Sequence, residues 1–476
     1  MSQSWASRLE ALAQEDLVMF INACLSCTGQ KEFYDSDYGQ KVSLDFLHDY
    51  ILGNYRLLYC RTLAAGINHF NQIQIVLKLL ATGKATAPQH QAEENQLITA
   101  TLHSLPVHRA WKLLQEIRSR GINNRRARAI TRTYWQRRQS LEFEAVKYRS
   151  KLKSVAVHNH LKLEPELNRF LFRHWDKPFE TELFEQFRRG HYSAEAIYSL
   201  PYTVAEGLAQ KHKIPRAKFL SGIESQMTAG EKLRLQKSSQ KEKVAIAINP
   251  YRLSLTKLAL YILSFPVKER IAKQEELETA IQKSISSLQK KSPLKLGKVA
   301  AVLDRSFSTS GTSEKRRRPL GIALAVHYLL QDAAAEYRDF WTIPTADALS
   351  VTAKGQSNLA TPLLSALAWQ PELVIIISDG WENDPPQGAK ELLRVYQSKF
   401  NRDRSVSIIH FNPVYNADDY SLKTISPLIP TVGLREAEDL PVVLRFARFA
   451  EGKTSLKELE DFLAIRSQEF VSSVEC

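Results

Sequence analysis

Cysteine is scarce in this chain: Cys24, Cys27, Cys60 and Cys476 are the only four in 476 residues. So few thiols exclude a disulfide framework. Cys24 and Cys27 form C-L-S-C, but no second Cys or His pair lies at zinc-like spacing. The surrounding VMFINACLSC reads as an apolar helix in which free thiols pack as small hydrophobes. Long apolar runs are missing too. None approaches the roughly 20 residues of a membrane-spanning helix, and MSQSWASRLEALAQEDL lacks the basic-then-apolar order of a signal peptide. A cytoplasmic protein without membrane association is expected. The chain also has no G-x-x-x-x-G-K-[ST] phosphate loop, no H-E-x-x-H and no G-x-S-x-G, so no enzyme class is indicated.

Negative charge is in deficit. Asp and Glu number 51 against 65 Lys and Arg, a net charge of +14. The excess is local. Between Arg109 and Lys153 there are 14 Lys or Arg and 3 Asp or Glu, a net of +11. A concentration of one sign in a tenth of the chain is the footprint of a polyanion site. Trp111, Leu114 and Ile117 recur at helical spacing, so the helix carrying Arg118 and Arg120 buries one face. Gly121-Ile122-Asn123-Asn124 reads as a helix stop and restart. Arg125, Arg126, Arg128 and Arg132 lie on the next helix, where Arg125, Arg128 and Arg132 fall on one side. Lys147, Arg149, Lys151 and Lys153 continue the run, followed by His158 and His160. Tyr134 and Trp135 interleave with the charges. Cations neutralise phosphates and aromatic faces stack unpaired bases, so this pattern points to RNA. A solvated helix face accounts equally well for any single Arg.

A second pattern is made of oxygens. The apolar run VAAVL ends on Asp304-Arg305-Ser306-Phe307-Ser308, and LVIII ends on Ser378-Asp379-Gly380. Two strands that stop in this way bring two carboxylates and two hydroxyls to one sheet edge. With no Cys or His among them, the donors suit Mg²⁺ or Mn²⁺. The carboxyl edge of a parallel sheet is also where open α/β folds bind ligands. Glu382 and Asp384 follow in the next loop and read as solvated carboxylates. Lys315 to Arg318 (KRRR) follow the first motif and read as a basic loop.

Periodicity divides the chain. Residues 1–295 carry amphipathic stretches such as Leu44–Leu52, Ile73–Leu80, Leu97–Leu105 and His108–Arg118. Their spacing suggests stacked antiparallel helix pairs. Residues 284–297 read as the junction. Residues 296–455 alternate strand-like and helix-like runs, as βα units with a parallel sheet require. Residues 456–476 form a C-terminal helix or tail.

The oxygen motif resembles the metal-ion-dependent adhesion site of von Willebrand factor A domains. That likeness adds Ser357, in G-Q-S-N-L, where the family has Thr, with Thr361 as a rival for the same role. It also implies an open metal position for an acidic group of a protein partner. Taken whole, the chain resembles the Ro autoantigen family, which joins a TROVE module of HEAT-like helical repeats to a von Willebrand A domain. The similar segments are Phe33-Tyr34 at the entry, IRSRGINNRRARAITRTYW, His160-Leu161-Lys162, GQSNLATPLLSA and ISDGWEND. Leu152 replaces a family His. The resemblance implies a non-catalytic RNA-binding monomer whose basic ring holds small structured RNA or single-stranded ends, in RNA quality control, processing or repair. A competing expectation is a protein-assembly adaptor whose A domain binds an acidic partner, such as an AAA-type ATPase.

Overall fold

The computed structural model describes residues 5–32, 36–244, 246–417, 420–450 and 454–475. Phe33, Tyr34 and Cys476 lie outside these. Two compact units result: Met1–Ile75 with Pro250–Ser473, and Val76–Asn249 with Val474–Cys476. This division differs from a boundary at residue 295. Its cause is a set of buried polar links between distant segments. Asn22 donates from Nδ2 to the carbonyl of Thr431 at 3.2 Å and accepts from the Gly433 amide at 3.1 Å. Gln40 reaches the Tyr415 carbonyl at 2.9 Å. Thr256 Oγ1 bonds the Glu438 carboxylate at 2.5 Å.

The first unit contains strands β1 (Leu296–Leu303), β2 (Ala334–Trp341), β3 (Leu373–Ile377), β4 (Ser407–Asn412), β5 (Tyr415–Asn416), β6 (Ser421–Leu422) and β7 (Thr431–Gly433). Five of them form a parallel sheet in the order β2-β1-β3-β4-β7. Strand period places alternate residues on opposite faces. Ala300, Val302, Val374, Ile376 and Ile408 cover one face, where they pack with Leu363 and Leu367 of helix Ala360–Ala368 and Leu393 of helix Gly388–Lys399. Each such side chain, removed from water, contributes roughly 1.5–3 kcal/mol. Helix Arg318–Ala333 packs on β1 and β2. β1 connects to β2 on one side, and the chain then returns to β3 on the other. The topological switch point therefore lies between β1 and β3.

The junction is shorter than its composition suggests. Helix Gln274–Lys291 continues through it and β1 starts at Leu296, because Ile281 and Ile285 are buried and hold the helix to its end. Helix Arg318–Ala333 runs directly into β2, which begins at Ala334. Cys24 and Cys27 are buried and not disulfide-bonded, at the end of helix Trp5–Ser26, and the Cys27 thiol donates to Gln40 Oε1 at 3.0 Å.

The second unit is helical. Helix Gln91–Ser104 precedes the basic run, and helices Val107–Ser119, Arg125–Gln136, Leu141–Lys147 and Arg149–His158 carry it. Gly121 terminates one of them at φ +66°, which a residue with Cβ adopts at a cost, and the Ile122 amide returns to the Ile117 carbonyl at 3.0 Å. Asn124 then caps the next helix, its Oδ1 accepting from the Ala127 amide at 2.9 Å. Among the described residues, no helix is long and apolar enough to cross a membrane.

Candidate metal centre and cation surface

The switch point gathers the oxygens. Asp304 continues β1, its amide donating to the Ile377 carbonyl of β3 at 2.9 Å. Asp304, Ser306, Ser357, Ser378 and Asp379 are each at most 3% exposed. Ser306 Oγ lies 3.1 Å from both Asp304 Oδ2 and Ser308 Oγ. Ser357 Oγ donates to Asp304 Oδ2 at 3.5 Å. Two further hydroxyls complete the shell: Ser378 Oγ at 3.3 Å from Asp304 Oδ2 and Thr342 Oγ1 at 3.3 Å from Asp304 Oδ1. Ser308 also bonds the Asp379 carboxylate.

Thr361 is not part of this cluster. It is exposed in the first turn of helix Ala360–Ala368, with its amide bonded to Asn358 Oδ1 at 3.0 Å. Ser357 occupies the position instead. Motif reading finds neither Thr342 nor Ser378. Ser378 precedes Asp379 and is open to inspection, whereas Thr342 reaches Asp304 only through the pairing of Leu303 with Trp341.

The surroundings hold the strand ends rigidly. His410 is fully buried, and burial lowers its pKa to about 4. The neutral ring donates from Nε2 to the Ser378 carbonyl at 3.1 Å and meets Thr431 Oγ1 through Nδ1 at 3.1 Å. Gly380, at φ +82°, brings its backbone so close to the Lys423 carbonyl that a Cβ would lie 2.5 Å from that oxygen. Glu382 is not a solvated carboxylate. It accepts from the amides of Leu359 and Ala360 at 3.1 and 3.0 Å and of Ala389 at 2.8 Å, and so caps two helices.

Two buried carboxylates meet at this edge, and neither makes an ion pair with a cationic side chain among the described residues. Burial first, and then the charge of Asp304, push Asp379 up to about 7. Burial also raises Asp304, against hydrogen bonds from Ser306, Ser378 and Thr342. An all-oxygen set with surplus negative charge fits a hard divalent cation. The basic loop that follows is largely spent on structure. Lys315 forms a buried ion pair with Glu32, and Arg318 donates to the Arg435 carbonyl at 3.2 Å.

In the helical unit the structure separates the basic residues by role. Arg125 and Arg132 are exposed and Arg128 is half-buried. None of the three makes an ion pair among the described residues. Arg126 is committed: it pairs at 2.6 Å with Glu94, which is 2% exposed, and also bonds Asn95. Lys147 pairs with Glu231 at 3.4 Å. Arg118 donates to Ser154 Oγ at 2.8 Å and Arg120 lies 3.9 Å from Glu116. His158 bonds the Ile122 carbonyl at 3.1 Å, a helix-to-loop tie, whereas His160 is exposed at φ +50°. Lys151 and Lys153 lie over the rings of Tyr148 and Phe172 at 5.7 and 4.9 Å. Burial, with Lys112 and Arg109 beside it, lowers the Lys151 pKa.

Tyr134 and Trp135 do not offer stacking faces to bases. They are 1% and 8% exposed, and each packs on Trp111 at 5.5 Å. Both fall on the helix face shared with Ala127, Ile130 and Thr131, so they anchor the basic helix to its neighbour.

The sequence matches no known family and no curated protein. Among solved structures, the fold is similar to that of the Ro (RSR) protein of Deinococcus radiodurans. The TM-score is 0.54 and identity is 12%, over 92% of this chain and all of that one. At such identity the likeness shows a similar fold, helix-rich with a parallel five-stranded sheet, and no more.

Proposed function

We propose that this chain is a non-catalytic RNA-binding protein of Ro-like organisation, a cytoplasmic monomer acting in RNA quality control, processing or repair. The observation that carries this reading is the set of uncompensated cations on helix Arg125–Gln136. Arg125, Arg128 and Arg132 share one side of the helix and have no acidic partner among the described residues. Such charge is available to neutralise phosphates, the dominant source of affinity for nucleic acid. The likeness of the fold to a Ro protein supports the reading independently of charge. Arg126 and Lys147 hold the scaffold and are left out of the binding set.

In the sheet unit, read as an A-type domain, Asp304, Ser306, Ser308, Ser357 and Asp379 would hold Mg²⁺ or Mn²⁺. When bound, such an ion offers a coordination position to a carboxylate from a protein partner. Phe307 and Trp381, 63% and 37% exposed, stand beside those ligands in sequence and favour a protein at this edge. This supports a second role, as an adaptor, compatible with the first. Filter binding of single-stranded and hairpin RNA tests the principal reading. Retention that weakens steeply with salt is expected, and no retention at about 150 mM salt would reject it.

A further inference from the structure

Four nitrogen-bearing side chains converge in the helical unit from four separate segments. Arg149 opens helix Arg149–His158, Arg173 follows helix Pro165–Leu171, His191 follows helix Glu182–Gly190, and Lys211 ends helix Tyr202–Lys211. The His191 ring links them: it lies 5.0 Å from Trp175 and 5.1 Å from Phe187, the two rings that Arg149 overlies, and its Nδ1 lies 3.4 Å from Lys211 Nζ; burial first, and then the charges of Lys211, Arg149 and Arg173, lower its pKa. Among the described residues, neither Arg149 nor Arg173 makes an ion pair or a side-chain hydrogen bond.

Arg149 is nevertheless fixed in place. Its guanidinium lies 5.2 Å from the ring centre of Trp175 and 5.8 Å from that of Phe187. Trp175 is itself anchored, its Nε1 donating to the Phe170 carbonyl at 3.1 Å. Stacking orients a guanidinium without neutralising it, and leaves its N–H fork for another acceptor.

His191 supplies the most specific observation. Lys211 Nζ lies 3.0 Å from the His191 carbonyl and 3.4 Å from Nδ1. An ammonium can only donate, so Nδ1 accepts and the ring proton sits on Nε2. That Nε2 is buried and has no partner among the described residues. The neighbouring His212 is already used, donating to the Gly190 carbonyl at 2.8 Å. A buried N–H without an acceptor is destabilising. Three cations and an orphaned donor around one point have a common remedy, a compact anion with several acceptor oxygens.

We propose that Arg149, Arg173, His191 and Lys211 form a binding site for a phosphate group, with Trp175 and Phe187 as the platform that orients Arg149. The site rests on the RNA reading only for the source of its phosphate, the backbone of a bound strand. Free phosphate shares the same chemistry. The Trp175 ring is packed against Arg149 and, at 5.0 Å between ring centres, against His191, so the ligand proposed is a phosphate and not a base.

The test compares the full chain with the Arg173→Asn/Lys211→Met double variant. Both positions are exposed, and Asn tolerates the φ of +66° at residue 173. Arg149→Lys serves as a second variant that keeps charge and loses the fork. Thermal unfolding is followed in inorganic phosphate and in chloride at equal ionic strength, and single-stranded RNA affinity is followed against salt. Phosphate should raise the midpoint of the wild type beyond chloride, and the effect should vanish in the double variant and shrink in Arg149→Lys. The slope of log affinity against log salt should flatten by roughly 0.7 for each phosphate that is no longer neutralised. If the phosphate effect vanishes while RNA affinity is unchanged, the site stands and its source is free phosphate. If wild type binds phosphate but no RNA, the RNA reading fails and the site survives. Equal phosphate stabilisation of wild type and double variant, or none in wild type, overturns the proposal.

Discussion

The sheet edge and the helical unit pose the same electrostatic problem with opposite signs. At the sheet edge, Asp304 and Asp379 are buried together and no cationic side chain answers them. In the helical unit, Arg125, Arg128 and Arg132 lie along one helix, and Arg149, Arg173 and Lys211 converge on His191, again without counter-charge among the described residues. Other cations are held in ion pairs. Arg126 meets Glu94, Arg138 meets Glu144, Lys147 meets Glu231 and Lys315 meets Glu32. The depth of each cluster distinguishes the ligands. Buried oxygens at 3.1–3.5 Å spacing suit an ion, whereas exposed cations along a helix suit an extended polyanion.

The comparison breaks most sharply at Asp304. A divalent ion that binds only the folded state stabilises it by about 2.7 kcal/mol at a hundredfold excess over Kd. Mn²⁺ should thus raise the unfolding midpoint of wild type and leave Asp304→Ala unmoved. The pH dependence has a defined sign. Asp379 is raised to about 7 in the folded state, so the folded chain holds a proton that the unfolded chain has lost above about pH 4. Without metal, stability should fall as pH rises from about 4 to 7, and added Mn²⁺ should remove that loss. Chemical denaturation at several pH values checks both.

On the opposite side of the comparison, Arg125→Glu/Arg128→Glu/Arg132→Glu should weaken RNA binding on the order of 100-fold and leave the fold intact. Filter binding with a parallel unfolding curve reads this. Unchanged affinity would move the binding surface elsewhere. Glu94→Gln sharpens the distinction between structural and free cations. Removing the negative charge of a nearly buried pair should cost about 2–3 kcal/mol by denaturant melt, with RNA affinity unchanged at temperatures where the variant is folded. The smallest effect belongs to Thr361→Ala, which should leave the Mn²⁺ response of the wild type intact, while Ser357→Ala weakens it.

What can be read from sequence follows locality. Asp304, Ser306 and Ser308 share five residues of chain, and VAAVL and LVIII announce the strands that carry Asp304 and Asp379. Thr342 joins Asp304 only through the register of β1 with β2, which no local pattern encodes. The same reason hides the fate of Arg126, whose partner Glu94 lies 32 residues away. Tyr134 and Trp135 depart from expectation for a different cause. Their place among charges in sequence suggests exposure, but helical period puts them on the apolar face with Ile130. Composition groups the N-terminal helices with the repeats. Asn22 and Gln40 tie them instead to segments more than 370 residues later, at separations of 409 and 375.

The central claim, that uncompensated cations of the helical unit hold RNA phosphates, is tested most directly by the salt dependence of single-stranded RNA affinity. Log affinity should fall linearly with log salt, at a slope of about −0.7 for each phosphate contacted, and the charge-reversed Arg125/Arg128/Arg132 variant should show a shallower line. A flat response, or the same slope in wild type and variant, would contradict it.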